Sequence, residues 1–278
     1  MSNLIKPLKV IFLSVALQIF LAIYFMSYSS ISAQNINDGF KPLFNGKNLE
    51  GWQLKIRSGD RVLAKKVFVV DRKMIHAFKH IPDSTELNTG NYQTHGMIFS
   101  EKKYSKYILR FEYKWGKKIL NNFKKFQYDA GLYYHIYNDK VWPKGIEYQI
   151  RYNHIANKNY TGDILAAGID ITWYTGIIKK HFLAPKAGGK PVQKKGMLSA
   201  FPTENYNGLN DKWNKCEIIV MGNNYLIHKL NGKIVNMATH LSRKEGLIGF
   251  QAETAEIYYK NIFIKEFLKS IPIEKFIN

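Results

Sequence analysis

The feature that most restricts this chain is the period of its apolar residues, which is two and hardly anywhere 3.6. From Ile108 to Trp115, Leu109, Phe111, Tyr113 and Trp115 fall on one side of an extended backbone, with Arg110, Glu112 and Lys114 on the other. Such alternation marks a half-buried strand, because successive Cβ atoms of extended chain point to opposite faces. The pattern recurs in Gly131–Tyr137, Gly145–Arg151, Glu217–Met221, Tyr225–Leu230, Lys233–Met237, Leu247–Glu253 and Glu256–Phe267. Asn231-Gly232 separates two of these runs, and Asn-Gly between alternating stretches is a strong hairpin signal. Many short strands divided by turns predict an all-β fold, a jelly-roll β-sandwich. No βαβ alternation, GxGxxG or P-loop occurs, which disfavours nucleotide-binding α/β folds.

Composition narrows the partners. The 278 residues are 46% hydrophobic, enough for a large core, and carry 41 Lys plus Arg against 21 Asp plus Glu, a net +20. Only six residues are Arg, the side chain best suited to bidentate phosphate and base contacts. With no helix-turn-helix, zinc-finger or RNP pattern, nucleic acid is not expected as a partner. A single Cys, Cys216, excludes an internal disulfide framework and a Cys-rich zinc module.

Lys6 and Lys9 precede an apolar run, Val10 to Met26, followed by small and polar residues ending Ile-Ser-Ala before Gln34. This layout predicts a signal peptide or signal anchor over residues 1–34, and a membrane contact only if it stays uncleaved. The body, residues 39–268, is then exported to the periplasm or surface of a bacterium. One stretch breaks the strand rhythm: Gly168–Lys212 is rich in Gly and basic, with Lys179, Lys180, Lys186, Lys190, Lys194 and Lys195. It reads as a long loop, either solvated or drawing in an anionic glycan or acidic envelope surface.

Strand parity assembles the candidate site. In Gly131–Tyr137, Tyr133, His135 and Tyr137 share one face; in Gly145–Arg151, Glu147, Gln149 and Arg151 share one. Paired as a hairpin across Asn138–Lys144, the two would merge Tyr133, His135, Glu147, Gln149 and Arg151 into one concave polar face. A carboxylate, a His, an amide and an Arg beside aromatic rings suit a sugar: rings for its apolar faces, polar tips for its hydroxyls. His154 stands at the rim, and Gln251 and Glu253 fall on the polar side of a late strand. Asp163, in Tyr-Thr-Gly-Asp, reads as a turn carboxylate. A solvent-facing sheet surface is polar in any case, so the alternation alone leaves a structural reading open. Neither GxSxG nor HExxH is present, nor the compact carboxylate pair of jelly-roll glucanases.

Phe44-Asn45-Gly46-Lys47-Asn48-Leu49-Glu50-Gly51-Trp52 resembles the opening of the 3-keto-disaccharide hydrolase family. Further matches follow in order: Asp129-Ala130-Gly131-Leu132, Gly145-Ile146-Glu147-Tyr148-Gln149-Ile150, Trp213-Asn214 with Glu217-Ile218, Leu230-Asn231-Gly232, Gly246–Gln251 and Tyr259–Glu266. The family often has His where this chain has Glu253, and its Asn-Ser-Gly strand reads Asp-Ala-Gly here. The resemblance implies a concanavalin A-like lectin/glucanase sandwich acting on glycosides whose sugar carries a 3-ketone. The ketone acidifies the C2 proton, so one base and one enolate-stabilising group suffice. Glu147 or His135 is expected as the base. Arg151, His154 or a divalent ion held by His and carboxylate oxygens is expected at the enolate, with Tyr133, Gln149, Arg151, Gln251 and Glu253 binding substrate. No cofactor is certain from the residues. A non-catalytic carbohydrate-binding module and an ordinary endo-glycosidase are the alternatives on the same fold.

Overall fold

The computed structural model describes residues 39–82, 93–121, 123, 125–176, 181–198 and 208–277. The chain divides into a leading unit, Met1–Lys41, and a body, Pro42–Asn278, which carries the sheet described below. The expected leader, residues 1–34, lies outside the described residues.

Among the described residues sixteen strands follow in chain order: β1 Lys41–Pro42, β2 Trp52–Ile56, β3 Phe68–Asp71, β4 Met74–Ala77, β5 Gly96–Ser100, β6 Lys106–Ile119, β7 Tyr128–Ile136 and β8 Gly145–Asn153. Then come β9 Lys158–Asn159, β10 Ile164–Thr175, β11 Lys190–Leu198, β12 Asn214–Met221, β13 Tyr225–Leu230, β14 Lys233–Thr239, β15 Leu247–Ala252 and β16 Ala255–Glu266. Among the described residues one short α-helix, α1 (Arg61–Val67), interrupts them. Asp60 caps it, its carboxylate accepting from Val62 N at 2.8 Å and Leu63 N at 3.0 Å. The sequence pattern did not anticipate this helix, nor β2 to β5, whose runs are short and lack clean alternation.

The strands pair in the order β2-β5-β15-β7-β8-β10-β14-β13-β12-β6-β16-β4-β3. The ribbon folds back at β10, which pairs with β8 over Ile164–Ala167 and with β14 at Thr172 and Trp173. The two halves meet through aromatic side chains. Phe111 of β6 meets Phe250 of β15 edge to face at 5.3 Å and Tyr148 of β8 at 6.0 Å. Tyr134 of β7 hydrogen-bonds His228 of β13 at 2.8 Å. Edge-to-face rings suit a core about 10 Å thick between packed sheets. This is the all-β jelly-roll sandwich expected from the alternation. Asn231 (φ 49°) and Gly232 (φ 84°) form the β13–β14 turn, the left-handed pair that the Asn-Gly signal calls for.

The long basic segment is a correction. Gly168–Lys212 is not one loop: β10 runs on to Thr175, and β11 returns antiparallel beside it, Trp173 opposite Val192 and Thr175 opposite Lys190. Its lysines hid the second strand, because an exposed ribbon carries no apolar alternation. Lys190 and Lys194 extend from β11. Lys179 and Lys180 lie outside the described residues.

Candidate functional site

Three adjacent strands set the polar face. Between β7 and β8 the register puts Tyr133 opposite Glu147, Gly131 opposite Gln149 and Asp129 opposite Arg151. On the other flank, β15 pairs with β7 through Gly249 opposite Tyr133 and Phe250 opposite Leu132. Carried along the ladder, Gln251 stands beside Gly131 and Glu253 beside Asp129, and Thr254 N donates to Asp129 O at 3.2 Å at that end. Thr254 Oγ1 also accepts from Asp129 N at 2.6 Å, tying the two strand ends together.

Gly131 is the pivot of this grid. A Cβ at that position would lie 2.8 Å from Glu147 Cδ and 2.9 Å from its Cγ, so the missing side chain makes the space that the Glu147 carboxylate fills. The Tyr133 hydroxyl hydrogen-bonds the same carboxylate. Gln149 Nε2 donates to Asp129 Oδ1 at 2.5 Å and to Ala130 O at 2.9 Å. Arg151 donates to Asp163 Oδ2 at 3.2 Å and lays its guanidinium over Phe126 (4.3 Å) and Tyr160 (5.5 Å). Asp163 closes the turn read from the sequence, its N–H donating to Tyr160 O at 3.2 Å, and its buried carboxylate is in addition the ion partner of Arg151. Its contact with Arg151 crosses strands, which is why the local sequence did not show it.

The face is more covered than a bare groove. Tyr133, Glu147, Gln149 and Gln251 are buried, while Asp129, Arg151 and Glu253 are half-buried and form its solvent margin. Burial dominates the electrostatics. It raises Glu147 to about 8, opposed by the Tyr133 hydrogen bond and assisted by repulsion from Glu253. Glu253 is raised to about 7 by burial, against the attraction of Arg57 and Arg151. Asp129 is held well above the usual carboxylate range by burial, then by the charges of Glu253 and Glu147, with Arg151 opposing. Burial thus moves all three carboxyls toward their protonated forms.

His135 does not join them. Leu247 pairs with Ile136 and Gly249 with Tyr133, so two steps on β15 oppose three on β7. This is a β-bulge, and His135 sits in it at φ 53°. The bulge reverses parity: Ile136 packs with Tyr133, Met97 and Phe99, while His135 turns away and its Nε2 meets Gly222 O at 3.0 Å. Burial lowers its pKa to about 4, leaving a neutral ring. His154 lies beyond the end of β8, edge-on to Tyr128 at 6.3 Å, and among the described residues it makes no hydrogen bond to the carboxyl set.

Among the described residues no three His, Cys, Asp or Glu side chains gather as metal ligands. The divalent ion considered from sequence thus finds no donor set among these residues. A groove of about 890 Å³ lies elsewhere, along β2, α1 and β3, lined by Leu54, Ile56, Ala64, Phe68 and Val70. Its one carboxylate, Asp60, is committed to capping α1, so it offers no base for proton transfer.

Sequence reasoning did not select Asp129 as a site residue. Its signal was available in the same alternation that selected Tyr133, since residues 129, 131 and 133 share a face.

Residues 39–265 match the family described as 3-keto-alpha-glucoside-1,2-lyase-like domains. No curated protein matches the chain. Among solved structures, a candidate glycosyl hydrolase from Parabacteroides distasonis aligns at 20% identity over 83% of this chain and 94% of that one, with a TM-score of 0.49. A second from the same organism aligns at 18% identity over 82% and 99%, also with a TM-score of 0.49. A carbohydrate-binding module from Bacillus subtilis aligns at 11% identity over 79% and 98%, with a TM-score of 0.44. Because the family match runs from before β2 through nearly all of β16, this chain belongs to the carbohydrate-active, glycosyl-hydrolase-like family of 3-keto-alpha-glucoside-1,2-lyase-like domains.

Proposed function

We propose that this protein is an exported enzyme that cleaves the glycosidic bond of 3-keto-glycosides, with Glu147 as the base. The observation that carries the reading is the Glu147 carboxylate seated in the Gly131 gap, hydrogen-bonded by Tyr133 and tuned to about 8. A base near the operating pH combines enough ionised form with enough proton affinity. The carbonyl at C3 makes the C2 proton acidic, and removing it gives an enolate. Arg151, positive and at the margin of the face, supplies charge for the enolate oxygen. Expulsion of the C1 substituent then leaves a C1–C2 double bond, and water adding across it completes a net hydrolysis. Gln149, Gln251 and Glu253 stand beside Glu147 as polar groups for sugar hydroxyls, Glu253 from the solvent margin, and Tyr133 holds the Glu147 carboxylate in place.

The test uses a 4-nitrophenyl 3-keto-glucoside and its unoxidised parent. The keto substrate should release nitrophenolate and the parent should not. Since Glu147 works only when ionised, kcat/KM should climb with pH until about 8. Turnover of the parent refutes the keto-specific reaction, and glycan binding without turnover of either makes the protein a binding module. Full activity in Glu147→Gln removes Glu147 from the chemistry.

A further inference from the structure

We propose that Asp129 is the acid that protonates the departing glycosidic oxygen, an inference that rests on the elimination described above. A C2 proton and a C1 substituent are on adjacent ring atoms, so their removal asks for two proton-transfer groups set apart along one surface. β7 provides this spacing. Asp129 and Gly131 are alternate residues on one face, and the Glu147 carboxylate occupies the Gly131 gap. Two residues of strand rise, about 7 Å, separate Asp129 from Gly131, over which the Glu147 carboxylate lies.

Asp129 is held as an acid at a fixed address. Gln149 Nε2 engages its Oδ1 at 2.5 Å, and Thr254 Oγ1 accepts from its backbone N–H at 2.6 Å. The Ala130 backbone N–H also hydrogen-bonds this carboxyl, and the residue lies on the solvent margin, where Glu147 does not. Burial, and then the negative charge of Glu253 and Glu147, favours its protonated form, the form a general acid needs.

The step balances. Glu147 takes the C2 proton, the C2–H pair becomes the C1–C2 double bond, and the C1–O pair leaves on oxygen, which receives the Asp129 proton. Hydration reverses the roles. Asp129 takes a proton from the water that bonds to C1, and Glu147 returns its proton to C2.

Leaving-group dependence tests this. Nitrophenolate departs without protonation, whereas an alkoxide does not. Asp129→Asn should lower kcat/KM for a methyl 3-keto-glucoside by roughly 10²–10⁴-fold, the range of general acid catalysis, and for the nitrophenyl substrate by less than about tenfold. Asp129→Glu keeps an acid and should bring the ratio of the two rates back toward wild type. Retained nitrophenyl turnover shows that the variants are folded. An equal loss on both substrates, or no loss on the methyl glycoside, overturns the role of Asp129. Wild-type protein inactive on both substrates overturns the elimination itself, a separate result, and Asp129 falls with it.

Discussion

Replacing Glu147 by Gln should stabilise the protein at alkaline pH while removing its activity. Glutamine keeps the shape of the side chain and an acceptor for the Tyr133 hydroxyl, but carries no charge. Glu147 is 2% exposed, and its carboxyl is carried from an ordinary 4.5 to about 8. The native state thus holds a proton that the unfolded chain has released, so stability falls as pH rises from the unfolded to the folded pKa. At about 1.36 kcal/mol per pH unit, the penalty grows by roughly 4 kcal/mol between pH 5 and pH 9. Denaturant unfolding of wild type and Glu147→Gln at both pH values measures it. The stability gap should open in favour of the variant as pH rises, by up to that amount, shared with its coupled neighbours Asp129 and Glu253. A gap that is the same at pH 5 and pH 9 refutes a buried, proton-retaining Glu147, and with it the tuning on which the proposed base depends.

Two further outcomes follow from neighbouring geometry. Gly131→Ala places a methyl against the Glu147 carboxylate and should cost about 1–3 kcal/mol by overpacking, with turnover lost as the carboxylate is displaced. Wild-type kinetics with an unchanged melting temperature would show that the gap is not needed. In β16, burial raises Glu256, but His76 Nε2 at 2.6 Å and the backbone N–H groups of Lys117 and Lys118 outweigh it and hold it at about 2. Glu256→Gln should cost about 1–3 kcal/mol at pH 7, and the difference from wild type should shrink as acid takes the pH below 4.5 toward 2. Urea unfolding across that range reads it, and a constant difference argues against a carboxylate held ionised by these hydrogen bonds.

Much of this protein was legible along the chain. Alternation at Ile108–Trp115 and Gly145–Arg151 foretold β6 and β8, Asn231-Gly232 foretold their hairpin counterpart in β13–β14, and the same parity put Glu147, Gln149 and Arg151 on one face. These are properties of extended backbone, where each side chain's direction follows from its neighbour's. The +20 charge, in contrast, hid a strand: in β11 the lysines of an exposed ribbon mask any apolar period. His135 was misplaced because a bulge against β15, a strand more than a hundred residues away, reverses the count within β7. Asp163 and Asp129 acquire their meaning across strands, the first from Arg151 and the second from Gln149 and Thr254. Backbone period alone settled which residues form strands and which way most of them point. Which strands become neighbours, and how deeply a carboxyl is buried among others, depended on the tertiary fold, because hydrogen-bond register and desolvation are set by atoms distant in sequence.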